Sequence, residues 1–177
     1  NHQFENLFRE IINRGHEVGF HPSYHAARSP EIFDREIKRL RKVADKCNYQ
    51  IKGGRQHYLN WDFRCTWSYW EKANLTYDST MMFHDRVGFR SGTCYPHSLY
   101  DIIQRKSLKL QQKPLMVMDA TLEHYMKLSQ PESLEKIEAI SRECKKYGGI
   151  MSILFHNHVV ISKSQQKFYL KILDIIK

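Results

Sequence analysis

Gly15-His16-Glu17-Val18-Gly19-Phe20-His21-Pro22-Ser23-Tyr24-His25 places two imidazoles, His21 and His25, where an apolar run gives way to a loop. Val18 and Phe20 alternate with smaller or polar neighbours as in a short buried strand. Pro22 cannot donate to a sheet, and its φ is preset for a first helical turn. His21 is therefore expected at a strand end. If Pro22 opens a helical turn, His21 and His25 share a face and can converge on one ion through neutral ring nitrogens. The chain holds 10 histidines, so an arbitrary pair would be two polar loop residues. This pair is set apart by the strand before it and by its place at the carboxyl end of that strand, where α/β sheets gather ligands.

Helix-like and strand-like segments alternate outward from this point. Phe4, Leu7, Phe8, Ile11 and Ile12 form one helical stripe ended by Gly15, and the strand 17–21 follows. Ser29-Pro30 reads as cap and first position of a helix that buries Ile32, Ile37, Leu40, Val43 and Ala44. Residues 51–59 read as strand, 61–73 as helix and 75–83 as strand. After an irregular stretch with Gly88, Gly92 and Pro96, residues 115–122 read as strand again. Ser129-Gln130-Pro131 starts a helix carrying Leu134, Ile137, Ile140 and Cys144, stopped by Gly148-Gly149. Residues 150–155 then form the most apolar run, expected as a strand buried on both faces, and 164–177 close as helix. This alternation predicts a mostly parallel sheet, open or closed into a barrel.

Composition narrows the function classes. A chain of 177 residues is a single domain by default, 41% hydrophobic and 27% charged, and no apolar run approaches the ~20 residues of a spanning helix. The net charge of +9 would suit a polyanion. The basic residues are dispersed, however. The densest stretch, 35–46, follows a helical pattern, and no recognition helix or aromatic RNA-binding motif accompanies it, so no nucleic-acid partner is expected. Cys47, Cys65, Cys94 and Cys144 contain no Cys-x-x-Cys pair, which argues against a zinc ribbon and demands no disulfide framework.

The order of motifs resembles the polysaccharide deacetylase family of metal-dependent carbohydrate esterases over most of the chain. His21-Pro-Ser-Tyr-His25 after Gly-His-Glu-Val-Gly is similar to the family's paired-histidine metal motif, and Arg55 after Gly53-Gly54 takes the place of its arginine motif. Tyr77-Asp78-Ser79-Thr80 is similar to a Tyr-Asp-Ser-Ser segment, and Leu154-Phe155-His156 resembles the last motif, whose histidine is the catalytic acid. The segment 83–97 looks like a subgroup associated with bacterial surface-polysaccharide loci, which leaves cytoplasm and cell envelope both open.

The resemblance implies a distorted seven-stranded (β/α) barrel that removes acetyl groups from an N- or O-acetylated polysaccharide or sugar. A divalent ion, zinc first and cobalt, nickel or iron as alternatives, would sit on His21 and His25 with a carboxylate. His156, Arg55 and Asp78 would serve catalysis, with Tyr58 and Trp61 toward the substrate. Alternation along an extended segment leaves His158 as a competitor of His156, and Asp119 reads either as a satisfied buried carboxylate or as part of the cleft. Two departures stand out. No Asp-Asp motif precedes His21, and Arg-Gln-His-Tyr replaces the usual arginine followed by proline and an aromatic. The chain is therefore expected to be a single catalytic domain, residues 1–177, lacking its first strand and weak or inactive alone. A non-catalytic carbohydrate-binding relative is the alternative.

Overall fold

The computed structural model describes residues 2–177, which gather into two compact units. The first runs up to Thr80 and includes His97–Gln112; the second comprises Met81–Pro96 and Lys113–Lys177.

In the first unit, α1 (His2–Asn13) stops before Gly15, whose φ of +80° is left-handed and ends the helix. Of the predicted stripe only Phe8 is fully buried, while Phe4 and Leu7 remain about half exposed. The expected strand 17–21 is reduced to one parallel bridge, Phe20 to Gly54. Helix α2 (Pro30–Asp45) begins as predicted, with the Ser29 hydroxyl accepting from Ile32 N at 3.3 Å and Pro30 in its first turn. It buries Phe33, Ile37 and Ala44, with Ile32, Leu40 and Val43 half-buried. Then follow β1 (Gly53–Gly54), α3 (Thr66–Lys72), β2 (Tyr77–Asp78), β3 (His97–Asp101) and β4 (Lys106–Gln112). The sheet order is β1-β2-β4-β3, parallel except for the antiparallel β3–β4 hairpin. Phe20, Phe33 and Trp70 pack as an aromatic core, with ring centroids 5.2–6.1 Å apart.

In the second unit, β5 (Val117–Met118) pairs in parallel with β6 (Ile153–Leu154). Between them lie a π-helical turn, Thr121–Tyr125, and α4 (Gln130–Tyr147); α5 (Lys163–Ile176) ends the chain. Helix α4 starts and stops where the sequence predicts, at Ser129 and Gly148; the start is a capping box between Ser129 and Glu132, and Gly148 is left-handed at φ 67°. Its inward face, Ile137, Ile140 and Cys144, packs with Met116, Val117, Leu122, Cys94 and Ile172 into one core.

Of the incomplete or distorted seven-stranded barrel that the resemblance implies, the described residues form a four-stranded and a two-stranded sheet with mostly parallel pairing, because most extended segments pair for only two residues before turning. Contrary to expectation, the apolar segment 150–155 is not buried on both faces. Ile153 and Leu154 are half-buried and Ile150 is exposed, since a two-residue strand paired with β5 alone builds too little sheet to cover both sides.

Candidate functional site

The first unit holds His21 through its backbone. Phe20 N donates to Gly53 O at 2.8 Å and Arg55 N donates to Phe20 O at 2.9 Å, so residues 21 and 55 emerge side by side. His21 Nδ1 then meets Arg55 O at 2.8 Å. A carbonyl only accepts, so Nδ1 carries the proton and the neutral ring presents a lone pair at Nε2. That is the arrangement typical of a metal-ligating histidine, whose second nitrogen is fixed by a backbone carbonyl.

The ring opposite His21 Nε2 is His57, with its Nδ1 at 3.1 Å and the two ring planes 84° apart. His57 opens a short 3₁₀ turn, His57–Leu59, in which Tyr58 (φ 55°) and Leu59 (φ 52°) are both left-handed, a conformation costly for side-chain-bearing residues and often found at functional sites.

His25 lies differently from the expectation. Pro22 does not open an α-turn; Ser23 is extended at φ −66°, ψ 163°, and a 3₁₀ turn spans Tyr24–Ala27. His21 lies before that turn and His25 within it, so the two do not sit on one continuous helix. The His25 ring stands edge-on to Tyr24, centroids 5.5 Å apart. His21, His25 and His57 nonetheless line one groove of about 1090 Å³, walled by Val18, Phe20, Leu40 and Val43. Among the described residues, no group of three or more His, Cys, Asp or Glu side chains is placed to hold a metal. The donors that do meet are two neighbouring imidazoles, His21 and His57, fewer than the three protein ligands of a catalytic zinc site.

Arg55 and Asp78 serve one loop. The Arg55 guanidinium donates to Ser79 O (2.7 Å) and Ser79 Oγ (3.0 Å). Asp78 is fully buried and accepts from the Thr80 hydroxyl, Thr80 N (3.2 Å) and Trp67 Nε1 (3.3 Å), a turn-capping arrangement. Burial pushes the Asp78 carboxyl up to about 6 against the pull of these donors and of the Arg55 charge. Burial likewise lowers the Arg55 guanidinium from its ordinary value. Tyr58 is 79% exposed, with Tyr24 6.0 Å away between ring centroids. Trp61 is half-buried and stacks one face on Trp67 at 4.5 Å; Trp67 and Trp70 belong to the core, as their spacing predicts.

In the second unit, Asp119 leaves the carboxyl end of β5 and His156 that of β6. Asp119 is buried. Its Oδ2 accepts from His156 N at 2.5 Å, and its Oδ1 meets His156 Nδ1 at 2.7 Å. The carboxylate therefore holds the ring by backbone and side chain at once, with the Nδ1 proton toward Asp119 and Nε2 turned away from it. His158 is exposed, and the chain there is no longer extended: Val159 N donates to His156 O at 3.0 Å in a turn. Beside the pair, Asp119, Leu122, Phe155 and Phe168 help line a cavity of about 160 Å³.

Sequence reasoning passed over His57, whose only signal was the break in the arginine motif, and left Asp119 between two readings.

No protein-family model matches this chain, and no curated protein matches it. Among solved structures it is similar to the crystal structure of a "putative polysaccharide deacetylase" from Mycobacterium smegmatis, at 15% identity and a TM-score of 0.71. The match covers 98% of this chain and 60% of that one. At this identity the likeness is one of fold: mixed α/β, with parallel strands and helices, similar to a deacetylase.

Proposed function

We propose that the protein is a metal-dependent hydrolase that removes acetyl groups from an N- or O-acetylated polysaccharide or sugar. The observation that carries this reading is the Asp119–His156 pair at the carboxyl ends of the parallel strands β5 and β6. An amide is a poor electrophile, so deacetylation needs a polarised carbonyl, an activated water and a proton for the leaving amine. His156 supplies that proton from Nε2, while Asp119 holds the ring in the required tautomer and offsets the imidazolium charge. In the other unit the Arg55 carbonyl fixes the His21 tautomer, His21 Nε2 meets His57 Nδ1, and His25 lines the same groove. Zinc, with cobalt, nickel or iron as alternatives, would be held at these imidazoles, and when bound supplies carbonyl polarisation and a more acidic water. Arg55 and Asp78 position the loop 78–80, and the exposed Tyr58 faces substrate.

Acetate release from acetylated chitooligosaccharides in the presence of added zinc or cobalt tests the reading. It should require the metal and be lost in His156→Ala. The absence of a three-residue metal group among the described residues favours a second reading, a non-catalytic carbohydrate-binding relative. Binding of the oligosaccharide with no acetate release under any of these metals would establish that second reading and remove the first.

A further inference from the structure

We infer that the tip of the β3–β4 hairpin is an anchor for a membrane surface: Ile102 and Ile103 enter the interface of an anionic bilayer while Arg105, Lys106 and Lys109 meet its lipid phosphates. The inference is independent of the hydrolase reading. Ile102 is 51% and Ile103 62% exposed, side by side in the turn between the two strands, where residues 102–107 are all exposed. Tyr100, also half exposed, stands behind them on the outer face of β3, opposite Ser107 of β4. Single apolar residues scattered over a surface are ordinary, whereas a cluster of large ones at an exposed turn marks a contact.

The turn holds the isoleucines outward. Asp101 is buried, and its Oδ1 accepts from Ile103 N at 2.9 Å and from Gln104 N at 2.8 Å, while its Oδ2 accepts from the Ser68 hydroxyl of α3 at 2.8 Å. Arg105 then takes a left-handed conformation at φ 53° and returns the chain into β4. The apolar tip is thus presented on a turn pinned to the neighbouring helix.

Charge decides what covers it. The segment 97–113 carries Arg105, Lys106, Lys109 and Lys113 against one acidic residue, the buried Asp101. Lys106 stands opposite Asp101 in the hairpin register, and Glu71 of α3 is engaged by Lys109 N at 2.5 Å. Among the described residues, the Arg105 and Lys109 side chains enter no ion pair. An aliphatic tip, a tyrosine behind it and cations around it follow the order of a bilayer interface, from acyl boundary through headgroups to phosphates. A nucleic acid or acidic glycan would use the cations and leave the isoleucines in water. An apolar groove on a protein would use the isoleucines and leave the cations without counter-charge.

The test sediments the 177-residue protein with vesicles of equal parts phosphatidylglycerol and phosphatidylcholine, and with vesicles of phosphatidylcholine alone. Wild type is compared with Ile102→Ser/Ile103→Ser and with Arg105→Asn/Lys109→Gln, asparagine being tolerant of the left-handed position. Circular dichroism confirms that each variant is folded, and sedimentation velocity without lipid reports self-association. Wild type should bind the anionic vesicles alone, and more weakly as salt rises. The isoleucine variant should lose ~10- to ~100-fold in partitioning, because two half-exposed side chains amount to about one buried isoleucine. The cation variant should lose about 25-fold, roughly fivefold for each charge near such a surface. Wild type that binds neither vesicle overturns the inference. Anionic binding that is unchanged in the isoleucine variant belongs to the dispersed positive charge and overturns it as well. A dimer that the isoleucine variant abolishes, with no vesicle binding, makes the tip a contact between copies of the chain and also overturns it.

Discussion

Asp78 shows how burial and hydrogen bonding compete at one residue. Its carboxyl has an ordinary value of 3.8 and is pushed up to about 6, because desolvation outweighs the Thr80, Trp67 and Arg55 contributions that favour the charge. A group whose pKa is higher folded than unfolded contributes stability that is complete below the unfolded value. That contribution is lost as the pH rises through the folded one. The window here is about pH 4 to 6, and the loss is on the order of 3 kcal/mol for a shift of this size. Asparagine mimics the protonated form and can still accept from Thr80 N and Trp67 Nε1 while donating to the Thr80 hydroxyl. Denaturant unfolding of Asp78→Asn against wild type should therefore show a difference that is small at pH 4 and grows in favour of the variant up to pH 7. A difference independent of pH would mean that Asp78 does not titrate in this window. As an Asp-Ser pair at a strand end the residue was legible in sequence as a turn cap; its full burial depends on Trp67 and Thr80 closing over it, which no local pattern encodes.

At the scale of elements, the clasp between Phe20 and β1 is the feature on which His21 depends. A Cβ added to Gly54 would overlap the Phe20 carbonyl and backbone nitrogen, and one added to Gly53 would overlap Tyr77 of β2. These glycines let three chain segments approach closely. Gly54→Ala should cost about 1–3 kcal/mol as an overpacking change. It should also weaken zinc binding, because His21 and the Arg55 carbonyl are displaced together. Unfolding and zinc titration of one preparation check both effects, and a variant with wild-type stability and affinity would show that the clasp is dispensable. The start of α2 and both ends of α4 were legible in sequence, since their signals are local: Ser29-Pro30, Ser129-Gln130-Pro131, and Gly148. The strands were legible only as regions. Their pairing is set by distant partners, and the periodicity of 51–59 and 75–83 continues past the two residues that pair in each. The β3–β4 hairpin went unseen although Leu108, Leu110 and Gln112 alternate inward, because the glycines and proline before it read as one irregular stretch.

Across the whole molecule, the residues proposed to hold metal and the residue proposed to move a proton lie on different parts of the chain, so their loss should be separable by measurement. The sequence singled out His21 and His156 as histidines that follow extended segments, and each does follow one: His21 the Phe20–Gly54 bridge and His156 the strand β6. It could not indicate their partners: His57 and Asp119 are separated from them by 36 and 37 residues and meet them only through folding. Local readings around the site that tertiary structure overrode include the α-turn after Pro22, the strand 17–21 and the extended run through His158. Metal that binds only the folded state stabilises it by mass action, about 2.7 kcal/mol at a hundredfold excess over the dissociation constant. Zinc should therefore raise the melting temperature of wild type and of His156→Ala alike, and that of His21→Ala much less. Acetate release should fall in both variants, by ~10²–10⁴-fold in His156→Ala if its imidazole is the general acid. Asp119→Asn should follow His156→Ala, keeping the zinc-induced thermal shift while losing turnover, because the amide no longer offsets charge on the ring it positions. If Asp119→Asn and His156→Ala instead lose the zinc shift along with activity, the pair belongs to metal binding and the division of roles proposed here is wrong.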